Sequence, residues 1–147
     1  MLQYIKHLIK QNYNSLGFIP LPSIEQAMDN GQVLIEKEND DPCGFLLFGN
    51  GFPVLKIYQD CIQYDARKIH HGMNLVKRLI AIAEKRNCVA ISLWCADDLE
   101  SNEFWKAAGF IFVGKRIGGK KRKRMHNKWI LPIGGLLKLQ AGPKGEG

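Results

Sequence analysis

Asp65-Ala66-Arg67-Lys68-Ile69-His70-His71-Gly72 separates an apolar run that ends at Tyr64 from a helical pattern that starts with Met73. A polar turn feeding a helix start aims backbone N–H groups at one spot, and such a spot attracts an anion. Gly72 lets a ligand approach the backbone closely. Arg67, Lys68, His70 and His71 add positive or protonatable side chains. The chemistry suits a phosphate or a pyrophosphate. The plain alternative is a basic strand-to-helix loop that meets only solvent, and short motifs of this kind often mean no more.

Upstream of the turn, Val54 to Tyr64 (VLKIYQDCIQY) reads as a strand whose alternation drifts near Gln59-Asp60, as at a bulge. Residues 32–38 (QVLIEKE) and 43–49 (CGFLLFG) read as a hairpin, with Asn39-Asp40-Asp41-Pro42 as its turn. Leu2, Ile5, Leu8 and Ile9 mark an amphipathic helix over 2–12. Ser23 is placed to cap a short helix, Ile24 to Asp29, that Asn30-Gly31 stops.

Downstream, Met73, Val76, Leu79, Ile80 and Ala83 form one apolar helical stripe, ended by Asn87. Cys88 to Cys95 (CVAISLWC) is a continuous apolar strand, suited to the middle of a sheet covered on both faces. Asp97-Asp98 reads as the acidic opening of a helix that runs through Ala108 and stops at Gly109. Phe110 to Gly114 and His126 to Leu131 are the last two strands. The order α-α-β-β-β-α-β-α-β-β describes an α/β or α+β fold. The expectation is a single domain over 1–131 with a mixed, mostly antiparallel sheet and helices on both faces. Residues 132–147 are expected to be a frayed tail.

Ile62 to Leu75 resembles the acetyl-CoA signature of the GNAT superfamily of N-acetyltransferases. That signature is a strand, then Arg/Gln-x-x-Gly-x-Gly/Ala, then a helix. Here it reads Arg67-Lys68-Ile69-His70-His71-Gly72, with Leu75 in the usual helix position. The second half, a helix ending in an aromatic and followed by Gly-Phe, is matched by Asn102-Glu103-Phe104-Trp105-Lys106-Ala107-Ala108-Gly109-Phe110. The Gly118-Gly119 pair before an Arg/Lys cluster resembles a small subgroup of GNAT-like proteins from phages and microbes.

The resemblance implies acetyl-CoA as cofactor. It implies that backbone amides of Ile69, His70, His71, Gly72 and Met73 hold the pyrophosphate, with Arg67 and Lys68 beside it. It implies that backbone groups of Cys61, Ile62 and Tyr64 meet the pantetheine arm, and that a splayed gap between the strands at 54–64 and 88–95 admits the thioester. Asn102 resembles a residue often bonded to that arm. Two positions depart from the pattern. His70 stands where a glycine is usual. Trp105 stands where many members carry the tyrosine that protonates the leaving thiolate, and an indole N–H donates a hydrogen bond but does not titrate. Trp105 can still pack against the cofactor.

Acetyl transfer to an amine needs a deprotonated amine, a polarised carbonyl and a proton for the thiolate. Asp60, Glu36 and Glu38 are the candidate bases, and Tyr64 is the candidate acid. The expected activity is transfer of an acetyl group to a primary amine, of a small molecule or a protein, by direct attack. His7 and His126 each stand alone. His70-His71 lacks an evident third ligand, so no metal site is expected.

The 147 residues carry a formal charge of +7 with 46% hydrophobic composition. Residues 115–128 hold Lys115, Arg116, Lys120, Lys121, Arg122, Lys123, Arg124 and Lys128 and no acid. Removing those eight from 21 basic residues leaves 13 against 14 acidic ones, so the basicity is local. Lys120, Lys121, Arg122, Lys123 and Arg124 are candidates to meet an acidic partner or nucleic acid. The alternatives to the enzyme reading are a nucleic-acid-binding module using this segment, or a GNAT-like protein that binds CoA without catalysis. No apolar run reaches the 20 or so residues of a membrane span, and the N-terminus lacks a signal-peptide core, so a cytoplasmic chain is expected. Cys43, Cys61, Cys88 and Cys95 form no CxxC pair and read as reduced, mostly buried thiols. A homodimer through an exposed edge strand near residue 130 is a further expectation.

Overall fold

The computed structural model describes residues 2–11, 21–62, 69–118 and 124–134. The elements are α1 (Leu2–Gln11), α2 (Leu21–Asp29), β1 (Val33–Glu38), β2 (Asp41–Phe48), β3 (Val54–Ile62), α3 (Ile69–Lys85), β4 (Ala90–Ala96), α4 (Ser101–Ala107), β5 (Ile111–Gly118) and β6 (Arg124–Pro132). The strands are hydrogen-bonded in the order β1-β2-β3-β4-β6-β5. All pairs are antiparallel except β3 with β4. The α+β class with a mixed, mostly antiparallel sheet is therefore as the sequence predicts. The chain falls into two compact units, Met1–Asn50 with Ile57–Lys77, and Gly51–Lys56 with Arg78–Gly147.

In the first unit, Ile5 and Leu8 of α1 and Ile24 and Ala27 of α2 are buried together with Phe45 and Leu47 of β2, and Val33 and Ile35 of β1 pack against them. Side chains alternate along a strand, so Glu36 points to the opposite face from Ile35. The hairpin turn is tighter than the sequence suggests. Asn39 and Asp40 take φ of 52° and 69°, the two left-handed residues of a type I′ turn. Asp41 and Pro42 already belong to β2, and Pro42 sits opposite Lys37 beside a register shift, where a missing N–H disturbs the ladder least. Leu47 pairs with Gln59 and Phe48 with Ile57, which leaves Tyr58 as the bulged residue of β3, one position from the expected site. α2 begins at Leu21, three residues early. Pro22 is tolerated in a first turn, so Ser23 lies inside the helix rather than capping it.

In the second unit, Val54–Lys56 of β3 pairs in parallel with Ala90–Ser92 of β4. β4 is buried along nearly its whole length, as its apolar run requires. β6 lies between β4 and β5, so the strand around residue 130 is internal and β5 is the outer one. This overturns the expected free edge there, because Ile130 already pairs with Ser92 on one side and Ile111 on the other. Pro132 pairs with Ala90, and Ile133 is 3% exposed with its N–H donated to the Val89 carbonyl at 3.0 Å. Residues 135–147 lie outside the described residues. Among the described residues, no helix is long and apolar enough to cross a membrane.

Candidate functional site

α3 opens at Ile69. Ile69 to Gly72, read from sequence as part of a turn, is thus the first turn of the helix. Nothing in Ile-His-His demands a left-handed backbone, so the helix extends back through these residues. The N–H groups of Ile69, His70 and His71 have no carbonyl four residues earlier within the helix. By Met73 the helical pattern supplies one, that of Ile69. His70 is exposed while His71 and Gly72 are buried.

His71 faces inward and is 3% exposed. Its Nδ1 lies 2.9 Å from Glu36 Oε2 and its Nε2 3.3 Å from Glu38 Oε1. Two carboxylates on two ring nitrogens favour the imidazolium, which alone donates from both. The hydrogen bond to Glu36 raises the His71 pKa most, burial opposes it, and Glu38 adds to the rise. Asn74 Nδ2 donates to the same Glu36 oxygen at 2.9 Å. Glu36 is 7% exposed. Its carboxylate anchors the first two turns of α3 through His71 and Asn74. Two glutamates spaced by two on one strand share a face. Sequence offered that much, but not the histidine 33 and 35 residues away.

In the second unit, Asn102 organises the start of α4. Its Nδ2 donates to the carbonyls of Ala96 and Leu99, both at 2.8 Å. Its Oδ1 accepts from Asn127 Nδ2 at 3.0 Å and Trp129 Nε1 at 2.9 Å. Two donors and two lone pairs are all taken. Trp105 is buried, edge-on to Phe104 and Phe110 at 4.9 and 5.2 Å between ring centres. Its indole is part of that packing.

The basic segment finds partners that the sequence reading assigned elsewhere. Asp97 and Asp98 precede α4, which begins only at Ser101. Asp97 accepts from Lys115 Nζ at 3.3 Å. Asp98 Oδ1 accepts from Arg124 Nε and Nη2 at 3.0 and 2.7 Å, and that guanidinium holds the Asp98 carboxyl below its usual pKa. The guanidinium of Arg116 lies 3.9 Å from the centre of the Trp94 ring, with Lys128 at 5.3 Å. Register explains this. Ala96 pairs with His126 and Arg116 with the same residue, so the chain leaving β4 runs past β6 and β5. The acids are thus counter-charges for the strands rather than a helix opening. Lys120, Lys121, Arg122 and Lys123 lie outside the described residues, as do Tyr64, Arg67 and Lys68. Asp60 is half-buried on β3 opposite Leu46, and Cys61 and Ile62 end that strand. Cys43, Cys88 and Cys95 are buried thiols outside any disulfide.

Solved structures match this arrangement over nearly the whole chain. The ribosomal-protein-alanine N-acetyltransferase from Brucella melitensis aligns with a TM-score of 0.73 over 90% of this chain and 94% of its own, at 18% identity. Ard1 from Thermoplasma volcanium aligns with a TM-score of 0.79 over 90% of each chain, at 11% identity. A chain of the NatC complex bound to Gag peptide and CoA aligns with a TM-score of 0.74 over 90% of this chain and 91% of its own, at 15% identity. The fold is the GNAT acetyltransferase fold. No protein-family model matches the chain, and no curated protein sequence matches it. At these identities the GNAT likeness is one of backbone and element order.

Proposed function

We propose that this chain is an acetyl-CoA-dependent N-acetyltransferase that moves the acetyl group to a primary amine by direct attack. The observation that supports the reading most is the coincidence of the Arg67-to-Gly72 signature with the start of α3 in a GNAT fold. The NatC structure, which shares the fold, is described with CoA and a peptide.

The residues present fit the cofactor. The N–H groups of Ile69, His70 and His71, which have no carbonyl partner within the helix, form a cradle for the pyrophosphate, and the helix N-terminus favours its charge. Arg67 and Lys68 bring two cations into the same stretch of sequence, and His70, where a glycine is usual, is exposed. Backbone groups of Cys61, Ile62 and Tyr64 hold the pantetheine arm. When bound, the cofactor supplies an acetyl thioester, an acyl group already activated toward an amine.

Asp60 accepts the proton that the amine must lose, now that Glu36 is committed to His71 and Asn74. Tyr64 is the proton donor to the leaving sulfur, since Trp105 has no titratable proton. Asn102 spends its four hydrogen bonds on Ala96, Leu99, Asn127 and Trp129 and so fixes the start of α4. The acceptor is a primary amine of a small molecule or a protein.

Calorimetry with acetyl-CoA tests the cofactor, and mass spectrometry of an amine panel tests the transfer. Saturable binding is expected. Gly72→Val and His70→Glu should each weaken it, by about ten- to a hundredfold if one charge-assisted hydrogen bond is lost. Circular dichroism checks that both variants fold. No binding by the unaltered chain would remove the reading.

A further inference from the structure

We propose that Glu38, His70 and His71 form a binding site for a divalent transition metal, zinc by preference, on the first turn of α3. One ligand atom from each lies within 4.8 Å of the other two, and this is the single such group among the described residues. The sequence alone offered two adjacent histidines and no third ligand. The fold supplies the third, from the end of β1.

Two imidazoles and one carboxylate suit zinc, whereas magnesium and calcium favour all-oxygen sites. A tetrahedral zinc with bonds of about 2.0–2.1 Å sets its ligand atoms about 3.4 Å apart. His71 Nε2 and Glu38 Oε1 already stand 3.3 Å apart. His70 is the exposed member, with its ring centre 4.0 Å from that of His71, so a side-chain rotation brings its nitrogen in. Three protein ligands leave the fourth position to water.

The support behind the ligands is what makes the site a built one. A metal-bound imidazole usually gives its other N–H to a carboxylate, which fixes the ring and strengthens the ligand. Here Glu36 accepts from His71 Nδ1 at 2.9 Å and is itself held by Asn74 at 2.9 Å. Glu36 and His71 are both buried, so the ring has no freedom to turn away. That leaves Nε2 as the nitrogen facing Glu38 and His70. On binding, the metal takes the Nε2 lone pair, the proton there passes to solvent, and the contact to Glu38 becomes a metal bridge. The site consists of side chains and does not depend on whether the chain binds CoA.

The test is titration of chelator-treated, full-length protein without any CoA, with Zn²⁺ by calorimetry and Co²⁺ by visible absorption. One ion per chain and the intense bands of tetrahedral cobalt are expected. His70→Ala and Glu38→Gln remove one ligand each from less buried positions and should weaken binding by about tenfold or more. Glu36→Gln leaves all three ligands in place and should weaken it about 10- to 100-fold through His71 alone. Circular dichroism confirms that each variant is folded. No saturable binding, or unchanged affinity and stoichiometry in both His70→Ala and Glu38→Gln, would overturn the site.

Discussion

His71 shows how one side chain changes the meaning of a motif. In sequence it is one of several positive groups around an anion turn. In the structure it points inward and ties the start of α3 to two glutamates of β1. Its pKa lies above the ordinary 6.5, chiefly because of Glu36. The sign for stability follows. In metal-free protein this contribution is fully present below pH 6.5 and is lost as pH rises through the raised folded-state value. NMR titration of the imidazole in chelator-treated protein should show that raised value, and Glu36→Gln should bring it down. A His71 signal that titrates at or below the ordinary value would contradict the imidazolium bridge. The residue types were legible beforehand, Glu36 and Glu38 included, but their partner was not. A histidine on a helix and carboxylates on a strand meet only through tertiary packing, which no local spacing encodes.

Secondary-structure ends were more legible, because their chemistry is local. Gly31, Asn87 and Gly109 stop α2, α3 and α4 with positive φ. At each, the residue after the stop reaches back five positions: Gln32 to Ala27, Cys88 to Ala83 and Phe110 to Trp105. Gly31, Asn87 and Gly109 themselves bond to the residue three positions back, which completes the Schellman pattern. Starts were less legible: α4 begins at Ser101 because Asp97 and Asp98 are drawn to Lys115 and Arg124. The turn before β3 gives a sharper test. A Cβ on Gly51 would lie 2.6 Å from the Val54 carbonyl oxygen, which belongs to the backbone and cannot swing aside. Gly51→Ala should therefore cost about 1–3 kcal/mol in denaturant unfolding. Gly49→Ala should cost less, since the Cβ there meets the exposed side chain of Tyr58, which can rotate. Equal midpoints for Gly51→Ala and the unaltered chain would show that the turn gives way.

For the whole molecule, element order and the two-part signature led to the GNAT fold, and the strand order and solved neighbours agree. What sequence order could not supply was which strand lies outermost. The strand near residue 130 was expected at an edge, yet β5 takes the outer place and leaves Ile111, Val113 and Ile117 more than half exposed. Nor could it locate the counter-charges of the basic segment, which come from the chain between β4 and α4. The proposed cofactor chemistry rests on one short feature, the first-turn amides of α3. The decisive measurement is the amide NMR spectrum of ¹⁵N-labelled protein titrated with CoA and, separately, with pantetheine, which has the arm but no pyrophosphate. CoA should move the signals of Ile69, His70 and His71 most, and pantetheine should leave those three nearly in place. Equal shifts with both ligands, or CoA shifts that spare these amides, would contradict the pyrophosphate cradle.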